Sequence, residues 1–218
     1  MTIDVEYGEA TYWDERYARE PEAFDWYQSY TGLQMLLNQY LPRDASIMMS
    51  GCGNSELSFD MADDGYMDVH NVDISSVVID CMKERYAGRS GLTWAVADVM
   101  SLKNYKNDSF EGIIDKGTLD AIMCGSDSFA HAHMMLAECT RVLKKGGVYV
   151  LITYGDTSTR LGLLEKEEYG MQIRIYLISK VRKGCVALPV TSGPFVAGDK
   201  TLLHADDHHF VYVCTKTR

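Results

Sequence analysis

Short apolar runs and amphipathic stretches alternate along most of this chain. Apolar runs at 46–49, 71–74, 93–97, 110–114 and 148–153 each have the length of a buried strand. Glycine-containing turns and helical spacing follow several of them. The alternation predicts strand, turn and helix in repeated order.

Two of the intervening stretches have the periodicity of helices. After Ser75, which can cap a helix N-terminus, apolar residues recur every four positions: Val78, Met82 and Tyr86. A longer helix places four apolar residues on one side: Met135, Cys139, Val142 and Leu143. We expect this helix to end in the Lys-Lys-Gly-Gly run at 144–147, because cations and glycine favour a helix C-terminus.

The last part of the chain has a different pattern. Apolar and polar residues alternate at 171–177, and a second apolar run covers 210–214. Both runs predict strands, so seven are expected in all. The expected fold is α/β: a doubly wound, mostly parallel seven-stranded sheet with an antiparallel edge strand. Residues 1–218 are expected to form a single domain.

Composition narrows the possible partners. The 218 residues carry 21 Lys and Arg against 31 Asp and Glu, a net charge of −10, which does not favour nucleic acid binding. A small molecule or a basic protein suits this charge better. The acidic N-terminal residues do not form a secretory signal, and no apolar run is long enough to span a membrane. Six scattered cysteines indicate a reducing compartment, so we expect a cytoplasmic protein.

A glycine turn follows the first predicted strand. Gly51 and Gly53 are placed as in α/β folds that bind a nucleotide-like cofactor over this turn. Glu56 stands where a pyrophosphate-binding loop has its third glycine, and its charge disfavours a phosphate. A nucleoside cofactor without phosphate is indicated, with S-adenosylmethionine as the leading example.

Acidic residues end three of the predicted strands: Asp73, Asp98 and Asp115. Asp73 lies 20 residues after Gly53, a spacing at which a carboxylate commonly accepts from ribose hydroxyls. Asp98 could accept from the exocyclic amine of an adenine. The alternative is that each aspartate only caps the following helix.

The N-terminal segment, residues 1–40, is unusually aromatic. Its rings include Trp13, Tyr17 and Trp26. They could form a lid over a cationic cofactor, because ring faces attract ammonium and sulfonium charge. They could equally pack on the sheet as structural residues. A further cluster at 204–209, rich in His and Asp, is interpreted as a solvated turn, and no metal site is expected.

Several motifs together make the chain similar to a known family. They are Tyr12-Trp13-Asp14-Glu15-Arg16-Tyr17, Phe24-Asp25-Trp26, Gly51-Cys52-Gly53-Asn54-Ser55, Asn71-Val72-Asp73-Ile74-Ser75-Ser76-Val77-Val78, Ala97-Asp98-Val99 and Asp115-Lys116-Gly117-Thr118-Leu119-Asp120-Ala121. The chain resembles the class I S-adenosylmethionine-dependent methyltransferases, which have a Rossmann-like fold. Within them it is similar to a group that includes lysine methyltransferases acting on translation elongation factor 1-alpha.

The resemblance implies a cofactor site and an acceptor. The implied cofactor-binding residues are Trp13, Tyr17, Trp26, Gly51, Asp73, Ile74, Asp98, Val99 and Lys116. It favours the lid interpretation of residues 1–40 and a protein lysine as acceptor. A small-molecule acceptor and a non-catalytic binding protein are the alternatives. The chain departs from many methyltransferases at Ser50, where an acid is common. Residues 155–204 match no motif, and we expect them to form the acceptor side.

Methyl transfer to a lysine needs a neutral amine in line with the methyl group. Burial among aromatic rings would lower the pKa of a lysine in the needed direction. Asp115, Tyr12 and Tyr154 are candidates to orient the amine. No catalytic residue is assigned.

Overall fold

The computed structural model describes residues 7, 9–180, 188–190 and 207–218. Its strands are β1 Ser46–Ser50, β2 Asp68–Asp73, β3 Leu92–Val96, β4 Phe110–Lys116, β5 Leu143–Thr153, β6 Met171–Ser179, β7 Leu188–Val190 and β8 His208–Lys216. Its α-helices are α1 Ala10–Arg19, α2 Tyr30–Tyr40, α3 Leu57–Asp63, α4 Ser76–Arg85, α5 Thr118–Met123, α6 Ser128–Val142 and α7 Thr157–Leu164.

The described strands form one mixed sheet in the order β3-β2-β1-β4-β5-β8-β6-β7. Strands β1 to β5 are mutually parallel where they pair, and β8 is antiparallel to both β5 and β6. The predicted fold class is confirmed, with one short strand, β7, beyond the expected seven. The last strand is inside the sheet rather than at its edge. Its run of five buried residues, 210–214, fits that position because strands buried on both faces do not alternate.

Helix α6 ends earlier than expected. The Lys-Lys-Gly-Gly run lies within β5, not at the helix terminus, because Leu143 already pairs with Phe110 of β4. A register shift between Phe110 and Gly112 accommodates the run. Ser75 does cap α4 as predicted, since its side chain accepts from the Val78 amide. The pairing of β5 with β4 therefore determined where α6 ends, although the local sequence predicted a later end. The N-terminal cap of α4 depends only on neighbouring residues, and it was predicted correctly.

Apolar side chains form two clusters, one on each face of the sheet. Helices α1 to α4 contribute to the first cluster, and α5 to α7 contribute to the second. This arrangement leaves the carboxyl ends of β1, β2, β3 and β4 side by side at one edge. None of the described helices combines the length and apolar character that a membrane crossing requires.

Candidate functional site

A cavity lies at the carboxyl ends of the parallel strands, under the N-terminal aromatic segment. All nine residues that the sequence motifs implicated line it: Trp13, Tyr17, Trp26, Gly51, Asp73, Ile74, Asp98, Val99 and Lys116. The fold thus brings together residues that lie up to 103 positions apart in the numbering, from 13 to 116. Their role as ligands of a cofactor stays a prediction.

The glycine turn forms the floor of the cavity. Gly51 and Gly53 have φ of +65° and +54°, a left-handed conformation that favours glycine. A Cβ on Gly51 would lie 2.0 Å from the Oγ1 atom of Thr118. Thr118 is fixed there because Oγ1 donates to the carbonyl of Ser50 at 2.7 Å. The turn therefore brings bare backbone against the cavity and has no room for a side chain.

Asp73 connects the glycine turn to the start of α4. Its Oδ2 accepts from the Gly53 amide at 2.8 Å, and its Oδ1 accepts from the Ser75 amide at 3.0 Å. Burial raises the pKa of Asp73 to about 6, although these amide hydrogen bonds oppose the rise. The carboxylate is therefore prearranged at the cavity wall, and donors from a bound ligand would stabilise its charged form.

Asp98 follows the next strand end, β3. Its Oδ1 accepts from the Met100 amide at 2.8 Å, which fixes the carboxylate in a tight turn. The Ala97 amide donates to the Asp73 carbonyl at 2.9 Å, so the two strand ends are joined directly. The buried side chain of Val99 completes an apolar wall beside the carboxylate.

The aromatic segment contains a cationic side chain, that of Arg16, which lies among its rings. The rings of Trp13 and Tyr17 stack with centroids 5.7 Å apart. The Arg16 guanidinium lies 5.1 Å from the Trp26 ring centroid, and 5.8 Å from those of Trp13 and Phe24. Cation–π attraction thus joins α1 to the loop at 24–26. Arg16 was not singled out from the sequence, although it lies within the matched aromatic motif.

Two carboxylates hold the aromatic segment against the sheet. Asp14 accepts from the Ser75 hydroxyl at 2.6 Å, and Asp25 accepts from the Lys116 ammonium at 2.8 Å. Burial lowers the pKa of Lys116, and the charge of Asp25 opposes the lowering. The ammonium of Lys116 is therefore engaged by the protein itself. Sequence reasoning missed both aspartates, whose only signal was their place between conspicuous rings.

Asp115 is not available to an acceptor amine, contrary to our expectation. It is fully buried, and it accepts from the Thr118 amide at 2.9 Å and from the Tyr149 hydroxyl at 2.7 Å. It caps α5 from the protein interior and does not line the cavity. Tyr12 and Tyr154 are also absent from the lining, and Tyr154 is 54% exposed. The capping alternative therefore applies to Asp115.

The hydrogen-bond acceptors and aromatic rings of the cavity fit a nucleoside cofactor without phosphate. Two strand-end carboxylates can accept from a ribose diol and a base amine, and aromatic rings suit a sulfonium. Among the described residues that line the cavity, Lys116 alone has a cationic side chain, and Asp25 neutralises it. Within the described part of the chain no group of three His, Cys, Asp or Glu could hold a metal ion. Of the cluster at 204–209, residues 204–206 lie outside the described residues.

Comparison with known proteins gives a consistent result. Residues 48–151 match the family described as "Methyltransferase domain". The chain is 35% identical to the eEF1A lysine and N-terminal methyltransferase of Bos taurus over 80% of its own length, but spans only 26% of that protein. It is 31% identical to EEF1A lysine methyltransferase 4 of Mus musculus, over 78% of this chain and 71% of that protein.

Solved structures show the same fold. A SAM-dependent methyltransferase from Methanosarcina mazei superimposes with a TM-score of 0.62 and 17% identity, over 84% of this chain and 97% of that one. The second of the two relatives is matched over most of both sequences, 78% of this chain and 71% of that protein. The chain belongs to the class I S-adenosylmethionine-dependent methyltransferases, in the family that includes EEF1A lysine methyltransferase 4.

Proposed function

We propose that this chain transfers the methyl group of S-adenosylmethionine to a lysine side chain of a protein, with eEF1A as the first candidate acceptor. The observation that carries the proposal is the cavity itself: a bare glycine turn between two strand-end carboxylates, covered by aromatic rings. The names of the relatives support a protein lysine as acceptor.

Each part of the cavity has a role in this proposal. Asp73 would accept from the ribose hydroxyls and Asp98 from the adenine amine. Ile74 and Val99 would contact the two sides of the nucleoside, and Gly51 would let the cofactor approach the backbone. When bound, S-adenosylmethionine supplies a methyl group on a good leaving group, so orientation of the acceptor is the main task left to the protein.

Residues 1–40 would act as the lid within a single domain, residues 1–218. The rings of Trp13, Tyr17 and Trp26 line the cavity, and two carboxylate contacts hold them there. Such rings would exclude water from the sulfonium and stabilise its charge. The lid interpretation is favoured over simple packing because the same rings face the cavity.

The acceptor side offers rings rather than a general base. Tyr27 lies against Gly117, which lines the cavity, and its ring centroid is 6.3 Å from that of Tyr154. A lysine that packed along these rings would lose hydration, which lowers its pKa and favours the neutral amine that attacks the methyl group. The net charge of −10 suits a basic protein acceptor and does not suit nucleic acid. An acceptor that serves translation would be met in the cytoplasm.

The proposal is tested by incubating the purified chain with purified eEF1A and S-adenosylmethionine labelled in its methyl group. We expect label in eEF1A, located on a lysine by mass spectrometry of peptides. Asp73→Asn should abolish transfer. Asp68→Asn, at the exposed start of the same strand, should leave it unchanged.

Other outcomes separate the alternatives. Label only on the N-terminal amine of eEF1A would keep the enzyme class but replace lysine as the acceptor. Label only in the small-molecule fraction of a whole lysate would favour a small-molecule methyltransferase. Absence of both cofactor binding and transfer would leave only a non-catalytic binding protein.

A further inference from the structure

Asp120 has a buried carboxylate that the cofactor site does not use. It is the last acid of the Asp-Lys-Gly-Thr-Leu-Asp motif and is 3% exposed. Its Oδ2 accepts from the Tyr27 hydroxyl at 2.6 Å and from the Tyr154 amide at 3.4 Å. Its Oδ1 accepts from the hydroxyl of Thr153 and from the guanidinium of Arg160. Four donors occupy the carboxylate, so it is closed to any ligand and can act only through its partners.

Arg160 makes this contact an ion pair in the protein interior. Its side chain is 4% exposed and that of Asp120 is 5% exposed. The guanidinium also lies 5.6 Å from the ring centroid of Tyr154. Because buried charges are retained only when they are well paired, the Asp120–Arg160 pair gives a rigid base to the loop that follows β5.

Tyr27 is held in a conformation that it would not adopt alone. Its φ is +63°, a left-handed value that is uncommon for a residue with a Cβ and costs free energy. Its ring lies against Gly117, which lines the cofactor cavity, and 4.9 Å from the ring centroid of His209. Gln28, the next residue, donates to the Ser179 carbonyl at 3.0 Å. The hydrogen bond to Asp120 therefore fixes a strained residue between the cavity and the ends of β6 and β8.

Tyr27 and Tyr154 together connect the cavity to the surface. Tyr27 is half-buried beside Gly117, whereas Tyr154 is 54% exposed. Trp26, which lines the cavity, is 37% exposed, and its ring centroid lies 6.4 Å from that of Tyr27. The three residues thus form a continuous aromatic surface from the cavity wall to solvent. A long, flexible side chain with a cationic end matches such a surface, because rings pack on its methylene groups and attract its charge.

We propose that Asp120 is a positioning residue for the acceptor: through the Tyr27 hydroxyl and the Tyr154 amide it fixes the two rings along which the acceptor lysine reaches the cofactor. This inference rests on the proposed function. It assigns to Asp120 no contact with the cofactor, so its loss should affect use of the acceptor and leave cofactor binding intact.

The sharpest variant is Tyr27→Phe, which removes one hydroxyl and keeps the ring. Tyr30→Phe is the matched control, because the Tyr30 hydroxyl also donates to a carboxylate, that of Asp64, away from the cavity. Loss of a hydrogen bond to a charged group should raise amide hydrogen exchange at residues 26–29 about tenfold in Tyr27→Phe. Exchange there should be unchanged in Tyr30→Phe.

Kinetics with eEF1A as the acceptor provide the second readout. We expect kcat/KM for eEF1A to fall about tenfold in Tyr27→Phe, while the Kd of S-adenosylhomocysteine changes less than about twofold. If Asp120 acts through Tyr27, the double variant Asp120→Asn, Tyr27→Phe should lose no more acceptor use than Asp120→Asn alone. Should Asp120→Asn fail to fold, the single variant Tyr27→Phe still decides.

The inference is overturned if exchange at 26–29 is unchanged in Tyr27→Phe, whatever the acceptor is. It is also overturned if the Kd of S-adenosylhomocysteine rises in parallel with the loss of kcat/KM, because that result indicates a merely structural role. A wild-type chain that binds S-adenosylhomocysteine but does not methylate eEF1A would contradict the proposed acceptor, and the exchange measurement would still test the positioning of Tyr27.

Discussion

The carboxyl ends of β2 and β4 differ in use, although each contains a buried aspartate and each strand is a neighbour of β1. Asp73 lines the cavity and accepts from two amides of adjoining turns, those of Gly53 and Ser75. Asp115 accepts from Thr118, Leu119 and Tyr149 inside the protein and does not reach the cavity. Burial raises the pKa of both carboxyls, to about 6 for Asp73 and about 7 for Asp115.

Strand register explains the difference. Ser50 of β1 pairs with Val72 on one side and with Asp115 on the other. Asp115 is therefore level with Val72, a core residue, and one position short of Asp73. Because successive side chains alternate between faces, that single position turns Asp115 into the core. Lys116 is level with Asp73 and, like it, lines the cavity.

The largest expected effect is on cofactor affinity. Asp73→Ala removes the proposed acceptor of the ribose hydroxyls, and we expect the Kd of S-adenosylhomocysteine to rise about a thousandfold, or about 4 kcal/mol. Isothermal titration calorimetry on the folded variant measures this. Asp68→Asn is the control. Equal affinities for Asp73→Ala and wild type would remove the ribose assignment.

Asp115→Ala should show the opposite behaviour. The change leaves two amides and a phenol without their buried acceptor, so we expect the free energy of unfolding to fall by about 3 kcal/mol. Urea denaturation followed by circular dichroism measures the fall. Tyr149→Phe, which removes only one donor, should cost about 1 kcal/mol. A large loss of cofactor affinity in folded Asp115→Ala would contradict the different roles that we assign to Asp73 and Asp115.

The smallest of the three effects is a dependence of binding on pH. In the proposed site, ribose hydroxyls would donate to the charged form of Asp73, and burial raises the pKa of this carboxyl to about 6. Affinity should therefore be constant above about pH 7 and fall about tenfold by about pH 5, as the carboxylate takes up a proton. Titrations across this range in wild type and Asp73→Asn measure the difference. The variant should lack this dependence, and a flat profile for wild type would contradict the assignment of the proton to Asp73.

The sequence allowed good prediction of most features that depend on short-range pattern, although the Lys-Lys-Gly-Gly run did not end a helix. Apolar periodicity located seven of the eight described strands, and the glycine turn with Asp73 was found from spacing alone. The contacts that hold the N-terminal aromatic segment over the cavity were not predictable in this way. Asp14 meets Ser75 across 61 residues, and Asp25 meets Lys116 across 91. Such pairs depend on how α1 and the loop at 24–26 pack on the sheet, and no local sequence pattern predicts this packing. The role of Asp115 depended likewise on register.

Residues 155–204 were expected to form the acceptor side, and the structure describes residues 155–180 and 188–190 of them. In this described part, Arg160 contributes to the acceptor side through its ion pair with Asp120. Charged residues are common in this chain, so the charges of Asp120 and Arg160 do not single them out. Their separation of 40 positions does not indicate a contact either. Their pairing is a consequence of the tertiary fold.

The cavity at the carboxyl ends of the strands should bind S-adenosylmethionine if the assignment of this site is right. Calorimetric titration of the purified wild-type chain with S-adenosylhomocysteine at neutral pH measures this binding. We expect saturable binding of one molecule per chain, with the same affinity in Asp115→Ala and Asp68→Asn and no binding in the same concentration range in Asp73→Ala. Absence of binding to the folded wild-type chain would contradict the assignment.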